Sequence, residues 1–469
     1  MPKNLVKPIF FRNFALPNNA HMYNLAIIGG GPAGYTAAEK ATKAGLSVVL
    51  FEKDALGGTC LNVGCIPTKT LLYSAKQYHN AIHADKYGVK VENATFDYLK
   101  IAQRKTKTVR KLVAGIKARL QACKVIQGAA SVVSHTSDSV TISCGEETFE
   151  AERLLICTGS NNFVPPISGI AENEHVWSST EALAATSLPA SIAIIGGGVI
   201  GMEFATLYME LGVSVTVIEA LPNILPNIDA EVVSLLRARY EKAGITFLTG
   251  ARVQSVEADT IHYHYTCADA PEATLQADKI LVCVGRRANL QGLEALTDLE
   301  LNRGTICVNS HMQTSIPNIY AAGDVTGKIM LAHVASRQAE VAVDHMLGIP
   351  SEMHYNAVPS VVYTNPEIAA VGLSENDAAQ NDNLEIRRLP MTFSGRFMAE
   401  NEGENGLCKL IIDKTTQHIL GAQMLGNPCS EFIVAAAMAI ESGFTADQLA
   451  RIIFPHPTVS EILKEVINS

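Results

Sequence analysis

The sequence predicts an α/β protein with two dinucleotide-binding domains, followed by a C-terminal α+β domain. Three observations carry this expectation. A glycine-rich strand–turn–helix pattern occurs twice, and each copy leads into a second strand that ends in an acid. From about Pro359 the pattern changes to alternating, strand-like segments.

The repeat sets Ile27-Ile28-Gly29-Gly30-Gly31-Pro32-Ala33-Gly34 against Ile194-Ile195-Gly196-Gly197-Gly198-Val199-Ile200-Gly201. Each copy follows a short apolar strand and opens a helical pattern. The second strands, Ser47 to Phe51 and Ser214 to Ile218, reach Glu52 and Glu219 at the same distance from their glycines. A lone glycine cluster is a common turn signal, but a full βαβ unit with its acid, found twice, points to two Rossmann-like sites. Gly29 and Gly196 permit the tight turn, Gly31 and Gly198 let backbone approach a pyrophosphate, and Gly34 and Gly201 let helix pack on strand. The helix N-terminus offers unpaired N–H groups to the phosphates. A carboxylate at the end of the second strand accepts hydrogen bonds from ribose hydroxyls and repels a 2′-phosphate. No Lys or Arg lies between Glu219 and Asp229, so the second site is expected to prefer NAD to NADP.

Further along, Lys279 to Gly285 and Ile319 to Asp324 read as buried strands ending at a sheet's carboxyl edge, where α/β sheets bind ligands. Cys408 to Ile412 and Ile419 to Met424 read as strands of the last domain, and Glu431 to Ser442 as a helix that stops at Gly443. Thr445 with Gln448 forms the pattern of a capping box, so a short helix precedes Phe454-Pro455-His456-Pro457-Thr458.

At 469 residues the chain exceeds the roughly 250–300 residues at which one core stops growing, and its 48 % hydrophobic content suffices for several. The formal net charge is −9 and no long Lys/Arg run occurs, which leaves no electrostatic footprint for nucleic acid or an anionic membrane and favours a small-molecule or protein partner. No apolar stretch is long enough to cross a bilayer. Residues 1–21 carry Lys3, Lys7 and Arg12 with no acid, but their apolar part is broken by Pro8 and Pro17. They read as an extension outside the essential structure, with a targeting segment as the alternative. The ten cysteines are scattered and mostly lie in apolar runs, as Cys157 and Cys283 do, so they form no disulfide scaffold. Cys60 and Cys65 alone stand in polar, glycine-rich surroundings, in a compartment expected to be reducing.

That pair lies in Gly57-Gly58-Thr59-Cys60-Leu61-Asn62-Val63-Gly64-Cys65-Ile66-Pro67-Thr68-Lys69, between the first acid and the next helix. Two cysteines this close can form a small loop whose disulfide gains little from chain entropy and opens easily. Spacing alone equally allows two free thiols. A zinc site is disfavoured because no second ligand pair stands at finger or ribbon spacing.

This motif, the two fingerprints, Gly323-Asp324, Met330-Leu331-Ala332-His333 and His456-Pro457-Thr458-Val459-Ser460-Glu461 together resemble the pyridine nucleotide-disulfide oxidoreductase family, from about Tyr23 to the end. Within it they are most similar to members that oxidise dihydrolipoamide. The resemblance implies an FAD-binding domain in residues 22–165, an NAD-binding domain in 166–290, a second FAD-binding or central part in 291–355 and a dimerisation domain in 356–469. It places FAD against Gly29, Gly31 and Gly34, with Glu52 on its ribose and Asp324 near its ribityl chain and phosphates. Thr158, Gly159, Ser160, Met330, Leu331, Ala332 and His333 are the other implied contacts. Gly196, Gly198, Gly201, Glu219 and Gly285 would hold NAD. Lys69 would lie beside the flavin and pair with Glu203, a reasonable arrangement because either charge buried alone is costly.

The resemblance also implies a redox disulfide between Cys60, the sulfur attacked, and Cys65, the one that contacts the flavin. His456 would be the base that produces the substrate thiolate, oriented by Glu461. It would reach the cysteines across a homodimer interface. The implied partner is a lipoylated acyltransferase of a 2-oxoacid dehydrogenase complex, or a glycine-cleavage carrier protein, in the cytoplasm, or in an organelle matrix if residues 1–21 are a targeting segment. Phe454 departs from the family, which often has a histidine there, and altered packing is the expected consequence. The alternatives are an NAD-linked reductase of another disulfide and a subunit that mainly docks.

Overall fold

The computed structural model describes residues 22–266 and 272–469; the expectations for residues 1–21 lie outside the described residues. The first βαβ unit consists of β1 (Tyr23–Ile28), α1 (Pro32–Lys43) and β2 (Val48–Glu52), with Ile27 opposite Leu50 in parallel register. The segment from Gly57 to Lys69, placed between the first acid and the next helix, is itself helical, as α2 (Gly58–Val63) and α3 (Cys65–Ile82), interrupted at Gly64. Pro67 sits in the first turn of α3, where a missing N–H breaks no helical hydrogen bond. Next comes α4 (Tyr98–Arg119), whose N-cap Asp97 accepts from the Lys100 amide at 3.1 Å.

The first sheet is completed by β3 (Lys124–Gln127), β4 (Ala130–His135), β5 (Val140–Cys144) and β6 (Glu147–Ile156) in the order β3-β2-β1-β6-β5-β4. Strand Ile319–Ala321 returns to pair in parallel with the end of β6. Leu25, Ile27, Leu50 and Leu155 are fully buried on one face, and Ala26, Val49, Leu154 and Ile156 on the other. These strands are apolar throughout because both faces are covered.

The second unit follows a short ribbon strand β7 (Ser160–Asn162). It contains β8 (Val176–Trp177), α5 (Ser179–Ala184), β9 (Ser191–Ile195), α6 (Val199–Glu210), β10 (Ser214–Glu219), α7 (Ala230–Lys242) and β11 (Thr246–Thr249). Its parallel sheet runs β11-β10-β9, then Lys279–Val282, then β8. Cys157 is buried as expected, but Cys283 just past Lys279–Val282 is only half-buried, because it stands at the sheet's open carboxyl edge. Helix α8 (Ala332–Met346) lies along α1, and the small residues Ala33, Ala37, Ala335 and Ala339 let the two approach closely.

The C-terminal part is a five-stranded antiparallel sheet in the order Ser360–Val362, Ile368–Gly372, Ile419–Leu425, Leu407–Asp413, Leu384–Pro390. Helices Cys429–Glu441 and Ile462–Asn468 share its core. The Thr445 capping box is present, with Thr445 N donating to Gln448 Oε1 at 2.8 Å and Gln448 N to Thr445 Oγ1 at 3.2 Å.

A fully buried lysine ties this sheet to the second nucleotide unit. Lys409 Nζ lies 2.8 Å from Asp229 Oδ1 and 2.7 Å from Glu231 Oε2, and it also meets Glu375. Asp229 is the N-cap of α7, so the cation clamps that helix start to the sheet. Removing the cation leaves the fully buried Asp229 carboxylate without its partner. Lys409→Met is therefore expected to lower stability by about 3–5 kcal/mol, read as a drop in the denaturant midpoint; an unchanged midpoint would refute the clamp.

Candidate active site

Both fingerprints have the same geometry. Gly29 has φ +105°, and a Cβ on Gly34 would stand 1.8 Å from the Gly29 carbonyl oxygen, so a side chain there is excluded. Glu52 Oε2 accepts from Gly30 N at 2.7 Å and Oε1 from Asp54 N at 2.7 Å. In the second copy Glu219 Oε2 accepts from Gly197 N at 2.7 Å and Oε1 from Leu221 N at 2.8 Å. The acid thus braces its own glycine turn in both copies. Neither α1 nor α6 has a side-chain cap, so first-turn amides remain available beside Gly31 and Gly198.

Cys60 on α2 and Cys65 at the first position of α3 are brought together as two thiols, both half-buried. The hydrogen bond between them makes them unequal. Cys65 falls to about 7: the Cys60 hydrogen bond lowers it most, burial opposes, and the Lys69 charge lowers it further. Cys60 rises far above the ordinary thiol range through the same bond, burial and the neighbouring sulfur charge. The α3 N-terminus also favours a thiolate at Cys65.

One turn along α3, Lys69 Nζ donates to Glu203 Oε1 at 2.8 Å and Oε2 at 2.7 Å. Glu203 is only 4 % exposed. The C-terminal part joins this pair just past strand Ser360–Val362, since Tyr363 N donates to Glu203 Oε1 at 3.1 Å and Lys69 Nζ stands 4.6 Å from the Tyr363 ring centroid.

Ser160 Oγ donates to Asp324 Oδ2 at 2.6 Å, and Arg286 donates through Nε to Ser160 Oγ at 2.7 Å and through Nη2 to Ser160 O at 2.6 Å. Thr158 Oγ1 donates to Asn289 O at 2.6 Å, and Gly323 N to Gln338 Oε1 at 2.7 Å. Gly159 and Gly285 have positive φ and open space where a Cβ would stand. Met330 is partly exposed, while Leu331, Ala332 and His333 form the start of α8, where His333 Nε2 is bonded to Pro359 O at 2.9 Å.

His456 Nδ1 and Glu461 Oε1 share a 3.0 Å hydrogen bond. Glu461 is held below the usual carboxylate range by the Thr458 amide first and His456 second. The His456 side chain is 80 % exposed, and among the described residues no hydrogen bond or ion pair joins it to Cys60 or Cys65 in the same chain. Phe454 packs against the C-terminal core, while neighbouring Ile453 is 93 % exposed. The histidine–carboxylate pair is thus not bonded to the cysteines of its own chain, and it lies near the exposed Ile453 in sequence.

The sequence profile of the pyridine nucleotide-disulphide oxidoreductases matches residues 23–339, and that of their dimerisation domain matches residues 358–467. The chain belongs to the pyridine nucleotide-disulphide oxidoreductase family. It is 36 % identical over 447 residues to a dihydrolipoyl dehydrogenase of Geobacillus stearothermophilus, covering 94 % of each chain. It is 38 % identical over 450 residues to one of Chlamydia pneumoniae, covering 94 % of this chain and 96 % of the other. Among solved structures, LpdA from Mycobacterium tuberculosis superposes with a TM-score of 0.87 at 27 % identity over 95 % of this chain and 98 % of the other. The HOCl-induced flavoprotein disulfide reductase RclA from Escherichia coli gives 0.83 at 30 % identity over 95 % and 99 %.

Members of the family use FAD and NAD. The chain fits both: two braced glycine turns with uncapped helix starts suit two pyrophosphates, and Glu52 and Glu219 suit two riboses. The dimerisation domain makes the family's assembly a homodimer. Among the described residues no helix is long and apolar enough to cross a membrane. Three residues of the site escaped the sequence reading: Tyr363, Arg286 and Gln338. The doublet Arg286-Arg287 directly after Gly285 was the one local signal.

The unequal thiols give a direct prediction. Thiolate is the nucleophile, so alkylation of the reduced protein by iodoacetamide should rise with pH through a midpoint near 7. Cys60→Ala should move that midpoint up more than Lys69→Met does, following the order of the two effects. Equal midpoints in all three proteins would contradict the assignment to Cys65.

Proposed function

We propose that this chain is a dihydrolipoyl dehydrogenase, oxidising protein-bound dihydrolipoamide to lipoamide and reducing NAD⁺ to NADH. The observation that carries the reading is the unequal cysteine pair beside the Lys69–Glu203 ion pair, in a chain similar over 94 % of its length to dihydrolipoyl dehydrogenases.

In the oxidised enzyme Cys60 and Cys65 form a disulfide. His456 of one chain takes a proton from a substrate thiol, and Glu461 stabilises the imidazolium. The substrate thiolate attacks Cys60 Sγ, a mixed disulfide forms, and Cys65 leaves as thiolate. The Lys69 charge one turn along α3 favours the thiolate at Cys65, which suits it as the leaving group. The second substrate thiol then displaces Cys60, which takes a proton and departs as the high-pKa thiol, closing the lipoamide disulfide. Two electrons now reside in the pair. An FAD held at Gly29, Gly31, Gly34 and Glu52 would supply the two-electron chemistry that links the pair to NAD⁺. Lys69 balances negative charge at this point, and Glu203 keeps the lysine in place without leaving a bare buried cation. The sum is dihydrolipoamide plus NAD⁺ giving lipoamide, NADH and one proton.

A carboxylate ending the second strand, as Glu219 does, would accept from ribose hydroxyls and repel a 2′-phosphate, so NADH is the preferred nucleotide. The substrate carrier is a lipoylated acyltransferase or glycine-cleavage protein, and the cytoplasm is the proposed compartment.

Flavin-loaded enzyme should form NADH stoichiometrically when given dihydrolipoamide and NAD⁺ anaerobically, and prefer NADH over NADPH in the reverse assay. Turnover of another disulfide with no activity toward dihydrolipoamide would overturn the reading. His456→Gln should reduce kcat by about 10²–10⁴-fold, the usual contribution of a positioned general base, with flavin content unchanged. A kcat within twofold of the parent would remove His456 from the mechanism.

A further inference from the structure

The net charge of −9 hides a strongly cationic helix. Within its 22 residues α4 carries Lys100, Arg104, Lys105, Lys107, Arg110, Lys111, Lys117 and Arg119 and no acid. The other 447 residues therefore hold 29 cations against 46 acids, a net −17. A search for Lys/Arg runs misses this because the charges recur at helical spacing. Lys100, Arg104, Lys107 and Lys111 fall at i, i+4, i+7 and i+11, one stripe down one face.

Such a stripe weakens its own helix. Like charges at i,i+4 repel, and Lys100 in the first turn opposes the macrodipole. Some of the cations have local work: Arg104 donates to Thr70 O at 2.9 Å and Ser74 Oγ at 3.1 Å, Lys105 to Leu183 O, and Arg119 pairs with Glu39. Lys107, Arg110 and Lys111 are exposed and have no hydrogen-bond or ion-pair partner among the described residues. Beside them lies a cleft of about 370 Å³ lined by Leu99, Thr106, Lys107, Arg110, Ala184 and Thr186. Its lining combines apolar Leu99 and Ala184 with the cations Lys107 and Arg110, and its volume has room for an anchoring side chain. The stripe is close to the chemistry, since Arg104 bonds Ser74, nine residues beyond Cys65 and about 14 Å along α3.

We propose that the outer face of α4 docks an acidic protein surface, that of the carrier which brings the dithiol to Cys60; this rests on the dithiol-oxidising reading above. Charge complementarity selects that occupant. At about 33 Å, α4 matches only some ten base pairs, so a nucleic acid longer than that runs onto the strongly acidic remainder of the chain. A compact acidic face meets the stripe alone, and the opposing fields orient it during approach.

The test uses flavin-loaded enzyme with two substrates: a reduced lipoylated acyltransferase domain of net negative charge, and free dihydrolipoamide. In Lys107→Glu/Arg110→Glu/Lys111→Glu the KM for the domain should rise about tenfold or more, and Lys107→Gln/Arg110→Gln/Lys111→Gln should give a smaller rise in the same direction. Kinetics with free dihydrolipoamide should stay within twofold in both, which also verifies folding. For the parent enzyme the KM for the domain should climb with added NaCl. A KM for the domain that is insensitive to both variants and to salt would overturn the proposal. So would tighter binding of a duplex oligonucleotide than of the domain, or an altered oligomeric state in the variants. Failure of the parent enzyme to oxidise free dihydrolipoamide is a separate outcome, which refutes the dithiol reading itself.

Discussion

The ion pair of Lys69 and Glu203 is the contact on which the arrangement of the site depends. Its members come from helices 134 residues apart, α3 of the first nucleotide unit and α6 of the second, and the Tyr363 amide adds the C-terminal part to the same carboxylate. Glu203 is buried and costs several kcal/mol to desolvate, while Lys69 is only partly covered, so the pair is not explained as a stabilising device. What it does is fix geometry. Lys69 stands one helical turn from Cys65, and its charge helps depress that thiol. If α6 or the Tyr363 segment moved, the lysine would lose its partner and the cysteine its field. Three parts of the chain thus have one arrangement in which no charge is stranded.

A similar economy governs the nucleotide sites. Each acid, Glu52 and Glu219, spends its two oxygens on amides of its own turn, the second glycine and a residue two positions past itself. The carboxylate is therefore in position before any ribose arrives, and the glycine turn is held open by it. Because the repeat is exact in these bonds, the difference between the two sites lies outside the fingerprint. The first site adds Asp324, Ser160 and Arg286 along the carboxyl edge of its sheet, together with the cysteine helices. The second has no counterpart of the cysteine pair, which suits a nucleotide that comes and goes.

Much of this was legible in the sequence where a local pattern carries the physics. The two βαβ units, the Thr445 capping box and the His456–Glu461 spacing depend on residues within a few positions of one another, and the structure has all of them. The ion pair of Lys69 and Glu203 came from resemblance and not from pattern, since nothing local relates residues so far apart. Other features were misread for definable reasons. The segment around Cys60 and Cys65 reads as lying ahead of the next helix, but its glycines turn the chain into α2 and Pro67 is harmless in the first turn of α3. Cations at helical spacing in α4 make no run, so net charge concealed them. Tyr363 and Gln338 act through a backbone amide and a buried amide side chain, contacts made by residue types that advertise nothing in sequence.

The exposed half of the site follows from the same logic of distributed parts. A histidine and carboxylate already aligned at 3.0 Å, yet 80 % open at the ring, are organised for something the single chain does not contain. On the same C-terminal segment Ile453, Met438 and Val434 are 93 %, 64 % and 52 % exposed, and apolar side chains left open on the segment matched to a dimerisation domain call for a second copy. In the proposed cycle that copy brings its cysteine pair to this histidine. Neither chain alone could then both generate a substrate thiolate and receive it, so electron entry is confined to the assembled dimer.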